Sequence, residues 1–205
     1  MKLYSFAGSC ALGTHIVLEW IGKPYEVKMI QHDDLQKPDM LKLNPNHQVP
    51  ILEENGWVLF ENAAILNYLA DQFPEAKLGG DGTPKSRAEV NRWLAILNSD
   101  VHPAFKPLFG ATNYLDDKAA IEKTHANARK VLRKYFEEFN AQLGKHDYLA
   151  GSRSIADPYL FVTLRWTKAV KVDISGLENL KKFEARMRAD AGVAKALKVE
   201  GLDLH

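Results

Sequence analysis

Three short stretches carry the residue types that do chemistry. The first is "GSCALGTHI", which holds Cys10, the only cysteine in a chain of 205 residues. A free thiol titrates near ~8.5, so only a few per cent is thiolate at neutral pH. A helix N-terminus presents unpaired N–H groups and a partial positive charge, and both favour an anion. A drop of about two units there would leave most of a thiol ionised at pH 7. The activated thiol is then either Cys10 itself or that of a ligand lying beside it. The plainer alternative is that Cys10 is a small buried hydrophobe. With no second cysteine, a dithiol redox pair, a disulfide framework and a zinc site needing two thiolates are excluded.

The second stretch is "NHQVPIL". Pro50 precedes a strand-like run, where its missing N–H is tolerated. A cis Val49–Pro50 bond would expose the Val49 backbone to an extended ligand, which could pair with it as an added strand does. An ordinary trans proline at a strand start is the alternative. The third stretch is "FENAAIL". Glu61 and Asn62 open a helix, and a carboxylate and an amide beside free N–H groups can hold the ammonium and carboxylate of one zwitterionic group. Simple capping by an acidic residue is the alternative here.

The surrounding elements must position these groups. "KLYSF" reads as a strand, and Leu12, Ile16, Val17 and Trp20 recur at helical spacing. Gly22 ends that helix and Pro24 blocks its continuation. "YEVKMI" alternates like a half-buried strand, whereas "HDDLQKPDMLKLNP" is irregular with some helical character. "VPILEE" and "WVLF" read as two strands joined through Asn55-Gly56, a strong hairpin signal. Ile65, Leu66, Tyr68, Leu69 and Phe73 mark a third helix. The order is βαβ, a loose helix, ββ, α, over residues 1–76.

"FPEAKLGGDGTPKS" breaks the pattern with glycine and proline, so residues 77–85 are expected to form a linker. Its glycines lack the spacing of a phosphate loop. Residues 86–205 read as all-helical. Val90, Trp93, Leu94, Leu97 and Val101 form one stripe, which Pro103 and Pro107 end or kink. A long helix starts near Asp116. Another begins at "SIADPYLFVTLRW", either through a capping box from Ser154 to Asp157 or with Asp157 as N-cap and Pro158 in the first turn. Segments near 178–189 and 192–199 complete the chain.

Composition bounds the function. Hydrophobic residues make up 46% and charged residues 26%, enough for a core and a polar surface. A net charge of +1 gives no bulk attraction to nucleic acid or anionic membrane. No run approaches ~18 apolar residues, and "MKLYSF" is too short for a secretory h-region. The expected compartment is the cytoplasm. The seven histidines are scattered without a metal-ligand spacing.

Taken together, "GSCALGTHI", "NPNHQVPIL", "FENAAILNYLADQFP", "HPAFKPLF" and "SIADPYLFVTLRW" resemble, in order, motifs of the cytosolic glutathione transferases, and most closely the bacterial beta class. The resemblance spans nearly the whole chain. It implies a thioredoxin-like N-terminal domain (βαβαββα) with an all-helical C-terminal domain, as a homodimer. It implies glutathione as co-substrate and a small hydrophobic electrophile as its target. Gln48, Val49 and Pro50 would meet the cysteinyl part of glutathione, and Glu61 and Asn62 its γ-glutamyl end. Asp100 would reach that end from the other subunit. Cys10 and His102 would lie beside the sulfur, and Phe109 and Trp166 would line the electrophile pocket. Thiol–disulfide exchange through Cys10, or a binding module without catalysis, are the competing functions. Three positions depart from the beta-class pattern: Ala95 and Pro103 replace polar groups, and Asn62 replaces a smaller residue. Lys37 is the candidate for the basic residue of the irregular segment.

Overall fold

A computed structural model describes residues 1–202. Strand β1 (Lys2–Ser5) leads into helix α1 (Ala11–Ile21), which ends at Gly22 in the left-handed region, φ 71°. Strand β2 (Glu26–Met29) follows, then a 3-10 turn at His32–Gln36 and the short helix α2 (Pro38–Leu43). Strands β3 (Ile51–Glu54) and β4 (Trp57–Phe60) form a hairpin, and helix α3 (Asn62–Gln72) closes the unit. At the hairpin tip Asn55 and Gly56 have φ of 50° and 82°, the paired left-handed residues of a tight turn. The sheet order is β2-β1-β3-β4, with β1 parallel to β2 and antiparallel to β3. This is the mixed sheet of a thioredoxin-like domain.

The period-2 alternation sends side chains to two cores. Leu3 and Leu52, paired across β1 and β3, pack with Leu12, Ile16, Ile65 and Leu66 of α1 and α3. Tyr4 and Ile51, the next pair, face the opposite side and pack with Leu35 and Met40 of the irregular segment. That segment is ordered because its few apolar residues cover the second face of the sheet.

The C-terminal part is helical. Helix α4 (Pro84–Ala95) is capped by Thr83, whose hydroxyl accepts from Ser86 N. Its backbone does not stop at the prolines. It passes through a π turn (Ile96–Val101), helix α5 (His102–Phe105) and a 3-10 turn (Lys106–Phe109) before ending at Gly110, φ 100°. Pro103 has no N–H for the Ser99 carbonyl, and the preceding turn widens, with His102 N–H donating to Leu97 O. Helices α6 (Lys118–Leu143), α7 (Ala156–Ala169), α8 (Glu178–Ala189) and α9 (Ala191–Val199) follow. Among the described residues no helix is long and apolar enough to cross a membrane.

The two parts share one core. α7 and α9 both pack on α1, so the first helix is covered by the sheet on one side and by the helical domain on the other. The approach is close: a methyl built on Gly13 would lie 3.6 Å from Tyr159 N, and one on Gly192 would meet Trp20 at 2.9 Å. The start of α7 settles the two capping alternatives. Ser154 Oγ accepts from Ala156 N at 3.3 Å, and Asp157 Oδ2 accepts from Ser154 N at 2.7 Å and from Ser154 Oγ at 3.0 Å. Asp157 therefore completes a box rather than capping the helix itself. Its second oxygen accepts from Leu149 N at 3.0 Å and fixes the preceding loop.

Burial moves Asp157 from its ordinary 3.8 up to about 6, against the pull of these hydrogen bonds. The folded state thus holds the proton more tightly than the unfolded one. The contribution of Asp157 is fully present below about pH 4 and is lost as pH rises through about 6. Asp157→Ala leaves two buried N–H groups unpaired, and we expect a loss of about 1–3 kcal/mol at neutral pH in urea unfolding. The gap between wild type and variant should widen when the measurement is repeated at pH 5. A constant gap would mean that Asp157 titrates at its ordinary value in the fold.

Candidate active site

A cleft of about 590 Å³ opens where the two domains meet. Of the residues singled out in the sequence, Cys10, Gln48, Val49, Pro50, Glu61, Asn62, His102, Phe109 and Trp166 all line it. Asp100 does not. It lies exposed on the π turn, outside its own chain's cleft.

Cys10 occupies the N-cap position of α1 with helical backbone angles, φ −60° and ψ −21°. Its Sγ donates to the Val49 carbonyl at 3.4 Å. Burial pushes the thiol up to about 12. The backbone N–H groups of Cys10 and Ala11 act in the opposite direction, and the Glu61 carboxylate adds to the rise. The field of the helix end is present, but desolvation outweighs it. In the unliganded cleft Cys10 is a protonated hydrogen-bond donor.

The Val49–Pro50 bond is cis. The β1–β3 register ends at the Tyr4–Ile51 pair, so Val49 stands outside the ladder, against the cleft. Glu61 has φ 74° and ψ 113° at the N-cap of α3, a conformation that costs a bulky residue about 1–3 kcal/mol. Its side chain makes no capping hydrogen bond, so the carboxylate does not serve the helix. Asn62 is buried beneath it. Its Oδ1 accepts from Thr14 Oγ1 at 2.8 Å, and its Nδ2 is buried without a partner.

The opposite wall is the irregular helix. Asn98, His102, Lys106 and Phe109 succeed one another at steps of four, four and three residues and share the face that lines the cleft. His102 Nδ1 lies 2.7 Å from the Tyr159 hydroxyl, and its ring packs on Trp166 at 4.8 Å between centroids. Burial, helped by the Lys106 charge, lowers His102 to about 4, so the imidazole is neutral at physiological pH. Phe109 stacks on Phe105 and meets Trp166 edge-on at 5.4 Å. Trp166 Nε1 donates to the Gly8 carbonyl at 2.8 Å.

Lys37 is paired with Asp34 at 2.6 Å and stays outside the cleft. Besides His102, the basic side chains that do line it are Lys106, His32 and His47. Sequence reading missed Lys106, whose four-residue spacing from His102 was masked by two prolines. It also missed Tyr159, which reads as one more core aromatic of α7, and Asn98. Of the departures from the family pattern, Pro103 lines the cleft and Ala95 does not.

A thioredoxin-like domain joined to a helical domain, with a sulfhydryl and a cis-proline edge at their common cleft, defines a protein built to handle a peptide thiol. The family comparison agrees. Residues 1–71 match the glutathione S-transferase N-terminal domain and residues 101–190 its C-terminal domain. The chain is 50% identical over 204 residues to glutathione S-transferase GST-4.5 of Xanthomonas campestris pv. campestris, covering 99% of this chain and all of that one. The solved glutathione S-transferase from Xylella fastidiosa superposes with a TM-score of 0.96 at 48% identity, covering 98% of this chain and 99% of that one. A bacterial beta class glutathione S-transferase from Sphingomonas chungbukensis superposes at 0.87 with 33% identity, covering 99% of this chain and all of that one. The chain belongs to the glutathione S-transferase family, and it is a transferase.

The high position of the Cys10 thiol has a direct readout. At pH 7.5 iodoacetamide should alkylate Cys10 at least about tenfold more slowly than free cysteine, because only the thiolate reacts. Glu61→Gln removes the charge that adds to the rise and should speed alkylation. A wild-type rate at or above that of free cysteine would show an ionised Cys10.

Proposed function

We propose that the protein binds glutathione in this cleft and adds its thiolate to a small hydrophobic electrophile. The observation that carries this reading is the Glu61 carboxylate. It is held in a strained conformation, unused by its own helix, on the same cleft as the Cys10 thiol and Val49, whose backbone lies outside the strand ladder. Val49 pairs its backbone with the cysteinyl residue of glutathione, between Gln48 and the cis Pro50. Glu61 takes the γ-glutamyl ammonium, and the N-terminal N–H groups of α3 beside Asn62 take the γ-glutamyl carboxylate.

The sulfur then lies at the amino end of α1. Cys10 S–H turns from the Val49 carbonyl to donate to it, and His102 lies beside it. These groups hold glutathione as thiolate, released from its proton to solvent, and proximity and electrostatic stabilisation supply the rate. With a haloarene the new bond is sulfur to ring carbon, and the halide leaves with its electron pair. Phe109 and Trp166 receive the electrophile. Thiol–disulfide exchange with Cys10 as attacking group is disfavoured near neutral pH, since its thiolate is scarce.

The working unit in this reading is a cytoplasmic homodimer divided at residues 77–85, with Asp100 of each subunit completing the other's glutathione site. Its exposure outside its own cleft supports that placement.

Calorimetry with glutathione tests the assignments. Glu61→Gln should weaken binding about 10- to 100-fold, as expected for a lost charge-assisted hydrogen bond. Cys10→Ala should keep glutathione bound while raising the pKa of its thiol, read from ultraviolet thiolate absorbance, and should alter disulfide-exchange activity. Wild-type protein that fails to bind glutathione, with intact circular dichroism, would leave a binding module of another kind.

A further inference from the structure

Tyr159 is fully buried at the start of α7, and its hydroxyl joins a row of polar side chains beneath the cleft. Thr14 Oγ1 donates to Asn62 Oδ1, which leaves the Asn62 amide nitrogen on the far side of the group. That nitrogen is buried without a hydrogen-bond partner. The Tyr159 oxygen lies 2.7 Å from His102 Nδ1 and 3.3 Å from Asn98 Oδ1.

A phenol has one proton to give. Given to His102 Nδ1, it makes a bond of ordinary length. Given to Asn98, it makes a stretched one, outside the usual 2.5–3.0 Å range for a hydroxyl donor. The first places the proton on the shorter of the two contacts, between the phenol and the imidazole.

We propose that Tyr159 is a positioning residue of the transferase: its hydroxyl donates to His102 Nδ1 and thereby fixes the neutral tautomer with the proton on Nε2. With Nδ1 committed, Nε2 is the nitrogen left for a ligand, and it offers an N–H. His102 then stabilises the glutathione sulfur as a donor and is not the base that removes its proton. This rests on the reading of the cleft as a glutathione site. The groups around the ring act in the same direction. Lys106 opposes a second proton on the imidazole, and packing on Trp166 and Tyr159 keeps water from the ring.

The test is imidazole nitrogen NMR on protein labelled with nitrogen-15 histidine, with the His102 signals assigned by their loss in His102→Gln. In the wild type, with and without glutathione, Nδ1 should read as the unprotonated nitrogen and Nε2 as the protonated one between about pH 6 and 8. In Tyr159→Phe that preference should disappear. Its kcat should fall about 10- to 100-fold while KM for glutathione stays within about threefold, the pattern of a lost transition-state contact. A merely structural role would lower thermal stability without moving the His102 nitrogens. Protonated Nδ1 in the wild type, or unchanged nitrogens and kcat in Tyr159→Phe, would overturn the proposal. If Tyr159→Phe does not fold, the wild-type spectrum alone decides. If glutathione never binds, the functional reading fails while the tautomer of the free protein still answers the question posed here.

Discussion

The loop before α1 is held from the opposite domain, and the cleft depends on that hold. Glu200, just past α9, is buried with its carboxylate against the loop. Its Oε2 accepts from Gly8 N at 3.0 Å, and its Oε1 accepts from Ser5 Oγ at 3.1 Å and lies 3.0 Å from His15 Nδ1. Trp166 takes the other side of the same peptide by donating to the Gly8 carbonyl. Gly8 itself has φ 74°, so the loop turns where a side chain would be strained. A buried carboxylate with three polar partners is poorly replaced, because removing it would leave those partners unpaired and desolvated. The consequence is functional. Cys10 sits two residues beyond Gly8, so the position of its sulfur is set by contacts that Gly8 makes 158 and 192 residues away in sequence. Neither domain alone contains the information that places it.

Two opposing effects meet at that sulfur. The amino end of α1 favours negative charge, while the packed interface that locates it removes water and disfavours charge. The balance falls on the side of burial for Cys10, whose thiol stays protonated. The same wall makes His102 neutral. A charged Cys10 would also face the Glu61 carboxylate across the cleft. The arrangement therefore offers neutral donors at a helix end where the sequence left open whether Cys10 or a bound thiol would be the ionised one.

How much of this was legible follows from the range of the interactions. The hairpin at Asn55-Gly56, the stop at Gly22 and the strands of β1 and β2 are local matters of turn chemistry and alternation, and they read directly. The cleft-lining positions of Cys10, Val49 and Glu61 read from motif order. On the wall from Asn98 to Phe109, His102 and Phe109 read from motif order but Asn98 and Lys106 did not, since Pro103 and Pro107 look like breaks and only tertiary packing carries the helix through them. Tyr159 was hidden for a different reason. A fully buried aromatic on an apolar helix has the same sequence signature whether its hydroxyl is idle or ties a histidine. The rise in the Cys10 pKa was equally invisible, because desolvation is a property of the interface and not of any segment.

Neutral donors suit the proposed chemistry better than a cation would. A thiolate paired with a buried positive charge would be stabilised in the ground state as strongly as at the transition state, and uniform stabilisation does not raise kcat. It would also lose nucleophilicity as its basicity falls. Hydrogen bonds from Cys10 S–H and His102 N–H are weaker and are more readily loosened as charge passes from sulfur to the electrophile. The one cation on this wall, Lys106, is exposed and lies four residues from His102, whose protonation its charge opposes.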